Sequence, residues 1–312
     1  MRKCAAALLA VLMLASFAAC SAVETAASLD PAEEKLTVAV GIAPHASFVE
    51  AVAGDLAKVV TMVPPGDNPE TYQPTMTQMK ALSDAAVYFS QDLPTEKASI
   101  LPKLPDFNQD IVVVDLFAAV SKEYPLLPSA HSHGHDDDDD DDEKFSYKEE
   151  YDHHLWLSPK RAAAMVQTIA DTLCGLNEAN AEIFKANAKR YIAELEELDT
   201  ELKTTLSSLG NKSFIIYHPA YAYFADDYGL EMIGIEIEGK QATAAELKKV
   251  IALARQLGIK TVFYQQEFDG NQARTIAEEI SGTAMQAAPL SPDYTGALRK
   301  FAAALTGQAK NE

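Results

Sequence analysis

The chain has 312 residues, room for one large domain or two of ordinary size. Its formal net charge is −20, and it becomes two units more negative once Arg2 and Lys3 are removed. That balance excludes a nucleic-acid partner, because phosphate contacts need a basic face, and it favours cations. Past Cys20 the only cysteine is Cys174, which excludes an internal disulfide and a paired-cysteine zinc site.

In chain order, Arg2 and Lys3 precede a short apolar run, Ala5 to Ala19, that ends in Ser-Phe-Ala-Ala-Cys. A basic start, an apolar centre and small residues before a cut predict a secretory signal over 1–20, too short to span a bilayer as a helix. A cysteine directly after two alanines reads as a lipobox. Cys20 is then lipidated and kept as the mature N-terminus, and the protein is extracytoplasmic and anchored to the cell membrane. Phe17 departs from the usual leucine, so an ordinary cut near Ala19 or Ala27 is the alternative. Residues 21–35 are small, polar and acidic, and read as a tether.

Leu36–Ile42 is a near-continuous apolar run, the pattern of a strand buried on both faces. Ala43-Pro44-His45 enters a helix closed by Gly54. Further strands are predicted over 58–63, 85–90 and 110–115, with a helix from about Thr75. Strands alternating with helices predict a parallel sheet, whose ligands bind beyond the carboxyl ends of the strands. His45 and Glu70 fall on that edge.

Between Pro128 and Pro159 lie five of the seven histidines. His131, His133 and His135 alternate with small residues, and Asp136 to Asp142 follow. Short His-rich tracts suit metal handling, and the segment has nothing apolar to bury, so 128–150 reads as a solvated loop and auxiliary metal site. The bland alternative is a solvated acidic run with histidines by chance. His153 and His154 then precede an apolar Leu155-Trp156-Leu157, and Ser158-Pro159 opens a helix.

From Ser158 to Leu209 the pattern is helical. Gly175 is expected to interrupt it and Asn177 to cap a second helix. There Phe184, Ala188, Tyr191, Leu195, Leu198, Leu202, Leu206 and Leu209 recur at spacings of three and four, giving one apolar face. A helix over 178–208 would run about 46 Å, the length of a strut along two domains. The pattern lasts too few heptads for a coiled-coil seam, so a monomer is expected. Beyond Gly210 the alternation resumes. A strand over 212–217 ends at His218-Pro219, with Pro219 in the first turn of the next helix. A strand to about Ile237, a helix over 243–256, a strand over 261–264, a helix over 271–280, a short strand and a last helix from Pro292 follow. This reads as a second α/β domain, with no strong sequence repeat between the halves. His154 and His218, from separate domains, can meet only in the cleft between them.

The segments IIYHPAYAYFADDYGLE, DHHLWLSPKRA, VPPGDNPETYQPT and EGKQATAAELKKVI resemble parts of the solute-binding proteins of bacterial zinc and manganese ABC importers. The resemblance runs in order from Leu36 to the C-terminus. It implies two parallel-sheet α/β domains, 36–157 and 210–312, joined through the helical segment 158–209 by one long rigid helix, with a metal site in the interdomain cleft. It implies His154 and His218 as ligands, a membrane permease of the ABC importer as partner, and the His/Asp-rich loop as a mark of the zinc members. The family's usual histidine in the NPETY segment is here Glu70, and its usual aspartate before Pro-Leu is here Ala288. His45, Glu70 and Glu267 are the candidates to complete the shell, with His45 plus Glu70 or a water as the expected first-domain pair.

Zn2+ is the favoured ion because of the loop, and Mn2+ is the alternative, since a site of two histidines and two carboxylates would move toward manganese. The reading is capture and delivery of zinc, not an enzyme. A manganese carrier and a surface adhesin or metal store compete with it. A secreted zinc hydrolase would need an open coordination position and a base, and neither HExxH nor GxSxG is present.

Overall fold

The computed structural model describes residues 35–129, 151–236 and 239–307. The leader with Cys20, the tether, the loop histidines His131, His133 and His135, and Ile237 lie outside these residues. In the first half, strands β1 (Leu36–Val40), β2 (Ala57–Thr61), β3 (Val87–Ser90) and β4 (Val112–Asp115) form a parallel sheet in the order β2-β1-β3-β4. Val38, Ala39, Val40 and all of β3 are buried, as the apolar runs require.

The second half holds β5 (Ser213–Ile216), β6 (Glu231–Gly234), β7 (Thr261–Gln265) and β8 (Thr283–Ala287), again parallel, in the order β6-β5-β7-β8. The two sheets are wound alike. The sequence shows no strong repeat because like winding constrains only the apolar periodicity of the strands, which many different residues satisfy.

Between the sheets runs a helix of 27 residues, Ala181–Ser207, about 40 Å long at the ordinary helical rise. Phe184, Ala188, Leu195, Leu198, Leu202 and Leu206 are its buried stripe. It packs on Ala43–Ala53 of the first half, on Pro159–Leu176, and on Ala222–Tyr228 and Tyr294–Leu305 of the second. One apolar cluster therefore continues from Val38 and Phe48 through Trp156, Met165 and Leu195 to Phe214, Phe263 and Phe301. Phe301 alone meets the rings of Phe214, Tyr221, Phe224 and Phe263 at 4.1–5.5 Å. Two smaller clusters lie apart from it, one around Met62 and Tyr88, the other around Ile215 and Val262.

Several strands are shorter than the sequence suggests, and two helix boundaries differ for a plain reason. The helix from Pro159 runs through Gly175 to Leu176, since one glycine costs only about 1 kcal/mol and Leu173 and Ile169 are fully buried on this helix. The break comes at Asn177, whose side chain accepts from the Asn180 amide and caps a short turn, Glu178–Asn180. The helix after His218 starts at Ala222, past Pro219. The His218 carbonyl already accepts from the Ala220 amide at 2.8 Å and from Gln265 Nε2 at 2.7 Å, which holds the chain in a tight turn there.

Candidate metal centre

Three side chains converge between the sheets: among the described residues, Glu70, His154 and His218 form a group whose ligand atoms all lie within 4.8 Å of one another. His218 Nε2 is 3.2 Å from His154 Nε2 and 3.2 Å from Glu70 Oε1. The cavity they line is about 20 Å³, room for one ion or one water.

Each donor reaches the centre by a local device. Asn68 Oδ1 accepts from the Glu70 amide at 2.8 Å, and its carbonyl accepts from the Thr71 and Tyr72 amides, so the loop past β2 folds on itself. Thr95 ties this loop down, its amide to the Pro69 carbonyl and its hydroxyl to the Tyr72 carbonyl. His154 sits at the mouth of a turn, Leu155–Leu157, whose three side chains are buried. Trp156 Nε1 donates to the Pro289 carbonyl at 2.9 Å, and Tyr294 donates to the Trp156 carbonyl at 2.7 Å, fastening the His154 segment to the second half. His218 follows β5. Gln265 holds it from both sides, accepting from its amide and donating to its carbonyl, while Phe268 stacks on its ring at 4.5 Å and 14°.

The outer nitrogens of both rings are committed. Asp152 Oδ1 lies 2.9 Å from His154 Nδ1 and also accepts from the His154 amide at 2.7 Å. Glu236 Oε2 lies 2.6 Å from His218 Nδ1. A carboxylate only accepts, so each Nδ1 carries the hydrogen and each Nε2 turns its lone pair inward. Burial, and after it His153, push His154 down to about 4, so its ring is neutral at physiological pH. Burial would push His218 down as well. The Glu236 hydrogen bond, together with Glu70, overcomes this and holds His218 above its ordinary value. Asp152 is likewise disfavoured by burial, yet His154 and His153 keep it below the ordinary carboxylate range. Two lone pairs and a carboxylate oxygen pointing at one another repel unless a positive charge lies between them. A proton on His218 is the smallest such charge, and a divalent cation is a larger one.

His45 does not join this group. It lies in the first turn of Ala43–Ala53, fully buried, its ring edge-on to Trp156 at 6.0 Å and tilted against Phe48 at 6.0 Å. Neither ring nitrogen has a hydrogen-bond partner, and burial takes its pKa down to about 3. The expected pairing of His45 with Glu70 fails although β1 and β2 are neighbours. Glu70 comes from a loop well past β2, while the helix turns His45 back into the apolar core. Glu267 lines the cavity without belonging to the close trio. Ala288, adjacent to the lining residue Pro289, offers no donor.

Asp152, Glu236 and Gln265 were missed in the sequence. Asp152 had a signal, since it stands two residues before His154 in the same short motif. Glu236 and Gln265 had none, because only the pairing of β5 with β6 and with β7 brings them to His218.

Paired parallel sheets, a helix spanning both, and imidazole and carboxylate donors meeting between the halves define an α/β solute-binding protein of the metal-ligating class. The family model described as the periplasmic zinc-uptake complex component A, ZnuA, matches residues 38–308, and the chain belongs to that family. It is 30% identical over 270 residues to the zinc-binding protein AdcA of Streptococcus pyogenes serotype M1, a match covering 84% of this chain and 51% of that relative. The chain thus spans about half the length of the zinc-binding relatives it matches. It is 26% identical over 274 residues to the manganese-binding lipoprotein MntA of Halalkalibacterium halodurans, covering 86% of this chain and 83% of that one. A crystal structure of ZnuA superimposes with a TM-score of 0.78 at 32% identity, over 88% of this chain and 99% of the other.

Proposed function

We propose that this chain captures a zinc ion outside the cytoplasm, holding it between its two halves on His154, His218 and Glu70, and delivers it to the membrane permease of an ABC importer. The observation that carries the reading is the inward pair of Nε2 atoms, 3.2 Å apart, each braced behind by a carboxylate. In a tetrahedral zinc site with bonds of 2.0–2.1 Å, neighbouring donors are about 3.3–3.4 Å apart, so little movement is needed to seat the ion. Family membership and the zinc-binding AdcA relatives support the same cargo. No covalent bond of a substrate is made or broken in this reading, so no catalytic group is assigned. The leader with Cys20 supplies the lipid anchor in this reading, in keeping with the lipoprotein relative MntA. Among the described residues no helix is long and apolar enough to cross a membrane.

Manganese is the second reading. It is favoured by Glu70, a hard oxygen donor where the family usually has histidine, and by the manganese-binding relative. Titration calorimetry of the parent, His154→Ala and His218→Ala with zinc and with manganese tests both. One tight zinc site lost in each variant, with circular dichroism unchanged, is expected. Parent-like zinc affinity in either variant overturns the site, and a tighter manganese site in the parent transfers the reading to manganese.

A further inference from the structure

Glu267 lies two residues past β7, on a turn closed by the Phe268 amide donating to the Gln265 carbonyl at 3.3 Å. The residues beside it grip His218: Gln265 bonds both backbone groups of that histidine, and Phe268 stacks on its ring. The backbone of Glu267 is therefore fixed relative to a proposed ligand. β5 and β7 are neighbours, with β6 outside one and β8 outside the other, so His218 and Glu267 stand at the point where the strand order reverses. In open parallel sheets that crevice is where ligands bind.

Both carboxylate oxygens of Glu267 are shielded from solvent, and neither has a hydrogen-bond partner. Burial pushes its pKa up. Its own amide, the Gln266 side chain and His218 temper that rise without meeting hydrogen-bond geometry. A buried carboxylate with no partner is costly to keep, and such groups are otherwise paired or bound to metal. This one lines the same cavity as Glu70, His154 and His218.

We propose that Glu267 is the fourth donor to the captured ion, closing onto it from the turn after β7. The proposal rests on the reading of Glu70, His154 and His218 as cargo ligands. Two arguments carry it beyond position. Zinc in a closed site takes four donors, and the converging trio supplies three. A divalent ion in a buried cavity is also stabilised by carboxylates that can touch it. Asp152 and Glu236 sit behind the imidazoles, so Glu70 and Glu267 are the carboxylates placed to reach the ion. The completed set of two nitrogens and two oxygens is harder than a three-histidine set and admits manganese more readily.

The test compares the parent with Glu267→Gln and Glu267→Asp, using zinc and manganese alone as probes in chelator competition at neutral pH, with thermal melts with and without metal. Glu267→Gln is expected to weaken zinc at least tenfold and manganese by more. Its metal-free melting temperature should rise, because a buried unpaired charge is gone, and its gain on adding zinc should shrink. Glu267→Asp keeps the charge but withdraws the oxygens by one methylene, and should bind more weakly than the parent. Parent-like zinc affinity in Glu267→Gln overturns the proposal. So does parent-like affinity in Glu267→Asp beside a weakened Glu267→Gln, since a field effect without coordination gives that pattern. A lower metal-free melting temperature with unchanged affinities marks a purely structural residue and also overturns it. The underlying reading fails separately, through parent-like binding in His154→Ala or His218→Ala.

Discussion

Glu236 is 2.6 Å from His218 Nδ1, and both side chains are about 4% exposed. A hydrogen bond from imidazole to a carboxylate so short and so well buried is charge-assisted, and it makes Nε2 a stronger donor to a metal. Removing such a bracing partner typically weakens metal binding about 10–100-fold, or about 1.4–2.8 kcal/mol. Glu236→Gln keeps an acceptor oxygen but no charge, so it belongs near the tenfold end, and Glu236→Ala near the hundredfold end. The pH dependence has a definite sign. Glu236 stabilises the zinc-bound ring and the protonated ring alike, and it helps hold His218 above its ordinary value. Well above that raised pKa the variant shows its full defect against a neutral parent ring. As pH falls, the parent loses more affinity to proton competition than the variant does, so the gap between them narrows. Zinc competition titrations from pH 8 to pH 5.5 measure both effects. Parent-like affinity in both variants, or a Glu236→Gln defect that widens on acidification, refutes the reasoning.

The remaining predictions concern the frame. In Gly41→Ala the new methyl would overlap Glu96 Oε1, which cannot retreat because Tyr88 and the Gln91 and Leu93 amides hold the carboxylate; a loss of about 1–3 kcal/mol in urea unfolding is expected. Glu96 is raised to about 7, chiefly by burial, so the folded state takes up its proton more readily than the unfolded chain; stability should fall by on the order of a few kcal/mol as pH rises from about 4.5 to about 7, and Glu96→Gln should flatten that slope in denaturation at pH 5 and pH 8. Arg161 is buried against Asp227 at 2.9 Å and sits over the Tyr223 ring; in Arg161→Ala the carboxylate keeps Lys160 and the Ser158 hydroxyl as partners, so a loss of about 1–3 kcal/mol is expected by the same assay. Asp152→Asn keeps an acceptor for the His154 ring and amide but loses the charge, and should weaken zinc by roughly tenfold in calorimetry with the melting temperature little changed.

How much of this was legible beforehand follows from what kind of information each feature needs. Strand positions and the apolar stripe of the long helix are periodic, so Val38 to Val40 and Leu195 to Leu206 could be read directly. His154 stood at the close of the first half and His218 at the end of a strand in the second, and residues of separate domains can meet only in the cleft between them. His45 and Glu70 were both placed by the rule that parallel sheets bind at their carboxyl edges, and only Glu70 reaches the trio. A residue in the first turn after a strand can face either the cleft or the core, and the packing of Trp156 and Phe48, distant in sequence from one another, decided for the core. Glu236 and Gln265 are polar residues at strand ends with no local mark. Their roles come from strand order, which periodicity does not encode.

The two sheets also show why like winding does not give like chemistry. In the first, the reversal point lies between β1 and β3. Gly41 and Gln91 follow those strands, and Glu96 reaches into the gap, its oxygens accepting from the Gln91 and Leu93 amides and from Tyr88. Glycine is needed at 41 because a side chain would overlap that carboxylate. The crevice is thus closed from within, and this half reaches the candidate metal centre through Glu70, on a loop beyond β2, and through His154 at its close. In the second sheet the equivalent crevice, between β5 and β7, presents His218 outward with Gln265 bracing its backbone and leaves Glu267 without a partner. A carboxylate that folds inward onto amides makes one sheet edge structural. A histidine whose outer nitrogen is already engaged leaves the other edge with a lone pair to offer.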